Sequence, residues 1–357
     1  MNKNSTIKVG IVGGGYTGLT LAYFLSKHSD FEVEVFEKSE AVGGLAGTFE
    51  TKGQELEKFY HHWFTNDRHI LDLVNDMGKS DNVLIRKTRT GMYYSNNFFK
   101  LSSPLDLLRF SPLSLIDRVR LGAVVVAVRL VKDWKKLEKY SAKEWLLKIC
   151  GKRPYQVVWE PLLTGKFGRY SDSVSAVWFW NKLKLRGGSR GKGGAEFLAY
   201  YKGGFAKLAD ELRISIEERG GKIHLKSEIK TLQRTDAGTI LLETTAGRKE
   251  KDLVVLTPAL PVIAQLLKSS VSSEYYLGLN AVKYIGNVCL VLQLSKSLSD
   301  VYWLNVNDPN FPFVGIIEHT NFEPVENYGG RHIVYLSKYL PVDDKPVSYT
   351  HLTLPTN

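Results

Sequence analysis

Charged and apolar residues alternate before the final glutamate of Glu32–Glu37, EVEVFE, and this two-residue period predicts a strand. Ahead of it, the apolar run Lys8–Val12 predicts a first strand, and Leu19–Lys27 carries apolar residues on one helical face. Gly13–Gly18 joins the two as a loop. Strand, glycine loop, helix and strand fit within about 30 residues, the size of one βαβ unit. From about Ile70 to Tyr201 the pattern is mostly helical, with loops at Ser102–Pro104 and Ser111–Pro112 and a glycine-rich connector at Gly187–Gly194. Further on, Gly203-Gly204 leads into a helix over Ala206–Arg219 that Gly220-Gly221 ends. Strands are predicted at Lys222–Leu225, Ile229–Gln233, Thr239–Thr244, Leu253–Leu256, Asn287–Gln293 and His332–Ser337.

The glycine loop reads Gly13-x-Gly15-x-x-Gly18 and opens a helix. Gly13 permits the tight turn, Gly15 lets backbone approach a pyrophosphate, and Gly18 lets helix and strand pack closely. The helix N-terminus offers free amides and the positive end of its dipole to phosphate. Glu37 closes the second strand, 19 residues after Gly18. A carboxylate there can accept both ribose hydroxyls and repels a 2′-phosphate, which disfavours NADP.

After Glu37 comes Lys38-Ser39-Glu40-Ala41-Val42-Gly43-Gly44-Leu45-Ala46-Gly47. This second glycine pair resembles the extended fingerprint of the FAD-dependent amine oxidoreductases. That family includes amine oxidases, protoporphyrinogen oxidases, carotenoid desaturases and, more distantly, UDP-galactopyranose mutases. The resemblance is strongest over residues 7–70 and returns at 200–260. It implies an α/β fold: a Rossmann-like FAD-binding domain of residues 1–70 and 200–270, with an inserted mixed α+β substrate domain of residues 71–199 and 271–346. It implies FAD as cofactor, held by Gly13, Gly14, Gly15, Thr17 and Gly18 in the first loop and helix turn. Glu37 and Lys38 follow, then Gly44 and Leu45 near the pyrophosphate and flavin. Ile229 matches the position whose backbone meets the adenine, and Thr257 the end of the returning strand.

The implied activity is hydride removal from an amine, porphyrinogen or polyene, by an oxidase or desaturase. The alternative is a mutase-like sugar-nucleotide isomerase using reduced FAD. Glu57–Phe64, reading EKFYHHWF, matches the segment that passes beside the flavin in the resembled family. His61 and His62 are the candidate catalytic residues, because imidazole titrates near neutrality and can move a proton. Neighbouring side chains on an extended strand point to opposite faces, so the pair does not suggest a metal site. Trp178, Trp180, Tyr200 and Tyr201 are candidates for an apolar pocket, and Arg186 and Arg190 for gripping an anionic substrate.

Composition narrows this picture only slightly. With 43% hydrophobic and 24% charged residues over 357 positions, the chain is an ordinary globular protein of about two domains. Two distant cysteines, Cys150 and Cys289, suggest a reducing cytosol. The N-terminus has no signal-peptide pattern before the first strand. The net charge of +11 has its densest clusters at Lys132–Arg153 and Lys182–Lys192, without the interleaved aromatics of a nucleic-acid binder. The longest apolar run, Leu121–Val131, reads as a buried helix or as an element that meets a membrane surface. Finally, Val347–Thr356 reads VSYTHLTLPT, which resembles the in-frame translation of a transposase adapter used in sequencing-library preparation. Residues 347–357 are therefore expected to be a non-native tail, with native sequence stopping near Pro346 and the family's last glycine segment and helix missing.

Overall fold

The computed structural model describes residues 6–51, 53–101, 103–189, 191 and 195–342. The adapter-like tail and Arg190 lie outside the described residues. The chain forms two compact units. The first holds the residues up to His61, then Leu71–Val83 and Tyr201–Lys283, and the second holds His62–Ile70, Leu84–Tyr200 and the residues from Tyr284 on.

In the first unit, β1 (Ile7–Val12) feeds α1 (Tyr16–Leu25) and β2 (Phe31–Phe36). After α2 (Phe205–Glu218) come β3 (Lys222–His224), β4 (Ile229–Arg234), β5 (Ile240–Thr244), β6 (Gly247–Lys251) and β7 (Leu253–Leu256). The sheet runs β3-β2-β1-β7, every pair parallel. Strands β4, β5 and β6 make a separate antiparallel meander. Helix α2 stops because Gly220, at φ 86°, turns the chain, so that the Gly221 amide reaches back 3.0 Å to the Ile216 carbonyl.

The alternation in β2 marks a strand, but its burial does not alternate. Val33, Glu34, Val35 and Phe36 are all buried, the charged residue with the apolar ones. An interior strand of a parallel sheet is covered on both sides. The meander supplies the second cover: Phe36 shares an apolar cluster with Val12, Ile229, Leu232 and Leu242. Glu34 is accommodated by ion pairing, with Lys251 Nζ at 2.8 Å and His224 Nε2 at 2.7 Å. Burial alone would raise the Glu34 carboxyl, but its hydrogen bonds to Lys251 and His224 outweigh that and hold it below the ordinary 4.5.

Lys251→Met should therefore cost about 3 kcal/mol, the low end for breaking a buried pair, because His224 still partners the carboxylate. Glu34→Gln combined with Lys251→Met should recover most of the loss. Urea titration of the three variants reads this directly. Since the folded carboxyl titrates below its unfolded value, the pair's contribution is complete above about pH 4.5 and disappears as pH falls through the folded value. The Lys251→Met penalty should shrink accordingly in acid.

The second unit is built on a six-stranded sheet. Its order is Ile285–Leu294, His332–Pro341, Gly315–Glu318, Trp303–Val306, Thr90–Tyr94, Asn97–Lys100. Trp303–Val306 and Thr90–Tyr94 run parallel. A helical layer packs around Val124, Trp145, Leu146, Phe179 and Trp180. The stretch from Ile70 to Tyr201 is mostly helical, as expected, but strands interrupt it between Val83 and Lys100. Val83–Thr88 is a strand, and Thr90–Tyr94 and Asn97–Lys100 form a hairpin. Ser95 and Asn96 carry φ of 49° and 58°, the left-handed pair of a tight hairpin turn. The expected connector is also partly helical, since Gly187 and Gly188 end the helix Ala176–Gly188. Among the described residues, no helix is long and apolar enough to cross a membrane.

Candidate nucleotide-binding site

The glycine loop is packed so closely that side chains have no room. The Gly13 amide donates to the Phe36 carbonyl at 2.9 Å, which turns the loop across the end of β2. Gly13 has φ 105°, and a Cβ on it would lie 2.5 Å from the Thr257 hydroxyl. A Cβ on Gly18 would stand 2.0 Å from the Gly13 carbonyl oxygen. Helix α1 therefore begins directly against the turn. Gly15 caps it without any side chain, so no cap side chain takes the first-turn amides, which helices leave without internal partners.

The second glycine pair closes the other side. The Gly43 amide donates to the Gly14 carbonyl at 2.8 Å, and Gly15 and Gly43 form a parallel bridge. Gly43 and Gly44 both have positive φ, and a Cβ on Gly44 would come 3.2 Å from the Gly15 Cα. Two backbone segments 28 residues apart thus line one cradle with main chain alone. Leu45 beside it is exposed, as are Thr17 and Lys38.

Glu37 sits under this cradle with its carboxylate buried. Oε2 accepts the Gly14 amide at 2.7 Å and Oε1 the Ser39 amide at 2.8 Å. A carboxylate has about four acceptor sites, so these two bonds leave capacity for a ribose diol. The Glu37 main chain is pinned as well: its amide donates to His224 and its carbonyl accepts from Ser227. Ile229 is buried at the start of β4, beside an irregularity in the β4–β5 register. Thr257 does not point its hydroxyl away from the loop. The hydroxyl donates 2.8 Å to the Val12 carbonyl and ties the end of β7 to the end of β1.

Sequence reasoning missed what holds the cradle from behind. Tyr16, a variable position of the motif, donates its hydroxyl 2.6 Å to the Phe205 carbonyl at the start of α2. Burial, and secondarily the nearby Glu57, pushes the Tyr16 pKa far up, so the phenol stays protonated and donating. Glu57 Oε1 accepts the Phe205 amide at 2.9 Å. A carboxylate at the positive end of α2 is electrostatically favourable. Phe205 lies 189 residues from Tyr16, and no local pattern could have signalled the contact.

The two candidate histidines part company. His61 belongs to the first unit and His62 to the second. His61 Nδ1 lies 4.0 Å from Glu57 Oε2, and its ring packs against Phe205. Burial lowers its pKa, partly offset by the Phe59 backbone, so the ring is neutral at pH 7. His62 Nδ1 is 3.0 Å from the Tyr302 hydroxyl, with Phe64, Tyr302 and Trp303 edge-on around it.

The other candidates have structural surroundings. Trp180 is core, donating to the Val128 carbonyl at 2.9 Å, and Trp178 packs edge-on against Phe167. Tyr200 is buried against His319 and Phe322, and Tyr201 donates to Glu211 at 2.6 Å. Arg186 is engaged by the buried Glu196 at 2.7 Å and by Thr90.

The family model described as flavin-containing amine oxidoreductase matches residues 16–344. A coproporphyrinogen III oxidase of Mycobacterium tuberculosis is 23% identical over 279 residues, 72% of this chain and 60% of that protein. The chain thus spans about 60% of the length of that curated relative. Among solved structures, an oxidoreductase from Methanosarcina mazei superposes with TM-score 0.75 at 21% identity, over 94% of this chain and 79% of that one. A reduced UDP-galactopyranose mutase superposes with TM-score 0.69 at 14% identity, over 94% and 73%. Likeness at such identity is a likeness of fold, and the fold is Rossmann-like α/β.

Proposed function

This chain belongs to the flavin-containing amine oxidoreductases, and from that premise we propose an FAD-dependent oxidoreductase that removes a hydride from an amine, porphyrinogen or polyene substrate. The observation that carries the reading is the main-chain cradle of Gly13–Gly15 and Gly43–Gly44 set over the buried Glu37. Its bare main chain at a helix N-terminus suits a dinucleotide pyrophosphate, and its carboxylate suits an unphosphorylated ribose. When bound, FAD supplies the hydride acceptor, which no amino-acid side chain provides.

The protein's own residues have narrower tasks. The α1 amides and the cradle bind the diphosphate, with Thr17 at the first helix turn and Lys38 and Leu45 at the exposed rim. Glu37 orients the ribose, and Ile229 offers backbone to the adenine. Thr257 keeps the loop in register by tethering β7 to β1. In substrate oxidation a hydride leaves carbon and a proton leaves the adjoining nitrogen or carbon as the double bond forms. His61 is the better candidate to take that proton: its ring is neutral at pH 7, whereas the His62 Nδ1 is engaged with Tyr302. The first unit serves as the FAD domain and the second as the substrate domain, with a small-molecule substrate and a cytosolic location, free or at a membrane surface.

The test begins with the cofactor. The purified protein should be yellow, and denaturation should release FAD; release of NAD would overturn the assignment. Anaerobic bleaching of the flavin by amines, porphyrinogens or polyenes then selects the substrate class. Turnover of a sugar nucleotide without net electron transfer would favour the mutase alternative instead. His61→Ala should retain FAD and slow flavin reduction by about 10²-fold or more, as loss of a general base does. Wild-type reduction rates at every pH would leave His61 a packing role only.

A further inference from the structure

The Leu115–Leu130 helix is apolar on two opposite sides. Leu121, Val124 and Val128 face the core of the second unit. On the far side Leu115, Val119, Val126 and Leu130 are exposed by 68, 69, 56 and 72%. At 3.6 residues per turn these four fall within an arc of about 60°. Exposed Ile116 widens the stripe, and Arg120 and Arg129 border it on either side. The short helix Pro104–Leu108 adds exposed Leu105 and Leu108. An aliphatic surface of this extent is unusual on a protein facing only water.

We propose that this face docks on an anionic lipid bilayer, with the Leu115–Leu130 helix lying in the plane of the interface. Charge selects the partner. Residues 104–140 hold eight lysines and arginines against four acids. Two of the acids are engaged at helix starts: Asp106 pairs with Ser103, and Asp117 with Ser114 and, at 3.4 Å, with Arg120. Exposed Arg109, Lys132, Lys135, Lys136 and Lys139 extend the cationic rim, and half-exposed Trp134 sits among them, as aromatic residues do at headgroup level. A second copy of this chain would set like charge against like, whereas phosphate headgroups neutralise the rim while acyl chains cover the stripe. At 16 residues the helix is about 24 Å long, too short to span a hydrocarbon core of about 30 Å. The inference is independent of the redox reading.

Co-sedimentation of the full chain with vesicles tests it, comparing phosphatidylcholine alone with phosphatidylcholine containing phosphatidylglycerol. Binding is expected to the anionic vesicles and to weaken with salt over the Debye range. Val119→Asp with Val126→Asp should reduce it at least about tenfold. Leu277→Asp, at an exposed apolar position in the other unit, should leave it unchanged. Arg129→Glu with Lys132→Glu changes only exposed charges and should remove the preference for anionic lipid even if the double aspartate folds poorly by circular dichroism. Equal binding to both vesicle types, wild-type binding by a folded aspartate variant, or no binding at all would overturn the proposal. So would a concentration-dependent dimer that the aspartates dissociate.

Discussion

Replacing Glu37 with alanine should lower FAD affinity by about 10²- to 10⁴-fold. Two charge-assisted hydrogen bonds to ribose hydroxyls, each worth about 1.5–3 kcal/mol, set that range. The geometry adds a second effect. The Glu37 carboxylate also receives the Gly14 and Ser39 amides, and Gly14 is buried. Alanine leaves the Gly14 donor without its acceptor, which costs about 1–3 kcal/mol of fold stability. Glu37→Gln separates the two effects, since its amide oxygen can still take one backbone donor while the negative charge is gone. FAD titration beside urea denaturation should find Glu37→Gln nearer wild type in stability than in affinity. Unchanged FAD affinity in Glu37→Ala would remove the residue from the site.

Gly18→Val should prevent stable FAD binding and cost more than about 3 kcal/mol, beyond the usual range of overpacking. The obstruction is backbone: even the first carbon of a side chain would stand 2.0 Å from the Gly13 carbonyl oxygen and 3.3 Å from the Ile11 side chain. Neither the turn nor the strand can retreat, because the Gly13 amide is fixed to Phe36 and Val12 is fixed to Thr257. Helix α1 must therefore move, taking its N-terminal amides out of line with the cradle. Gly53 is the control, since a Cβ there meets nothing within 4 Å. Its φ of 72° still makes alanine mildly strained, so Gly53→Ala should cost about 1 kcal/mol and keep FAD. A Gly18→Val protein that retained FAD as tightly as wild type would show that α1 does not need this approach.

How much was legible depends on the distance along the chain over which a feature is determined. The turn after β1, the start of α1 and the position of Glu37 are set within about 30 residues by backbone sterics. A glycine required by φ or by contact is visible as a glycine, so the βαβ unit could be read directly. The hairpin at Thr90–Lys100 was also local. Its signal, Ser95-Asn96 between two aromatic-rich runs, was obscured by the helical pattern around it.

Other features had no local signature. Alternation in EVEVFE described a strand but not its surroundings, because only the assembled sheet and meander decide whether a second face is covered. The partner of Glu34 is Lys251, 217 positions away, and a lysine in β6 looks like any solvated lysine until β2 is laid beneath it. The same holds for Tyr16 and Glu57, which both close on Phe205. His61 and His62 are adjacent in sequence, yet they sit in different units. The exposed side of Leu115–Leu130 is as apolar as its buried side, so hydropathy alone could not say which faces the core. Sequence by itself determined the glycine turn and the βαβ unit, because these follow from steric limits on neighbouring residues, while the Rossmann-like fold as a whole and the class of cofactor were implied by the resemblance to the FAD-dependent amine oxidoreductases. Tertiary structure alone decided which charges are buried together, that His61 is desolvated and stays neutral, and which apolar face is left outside. Those depend on desolvation, and desolvation is fixed only when distant segments pack.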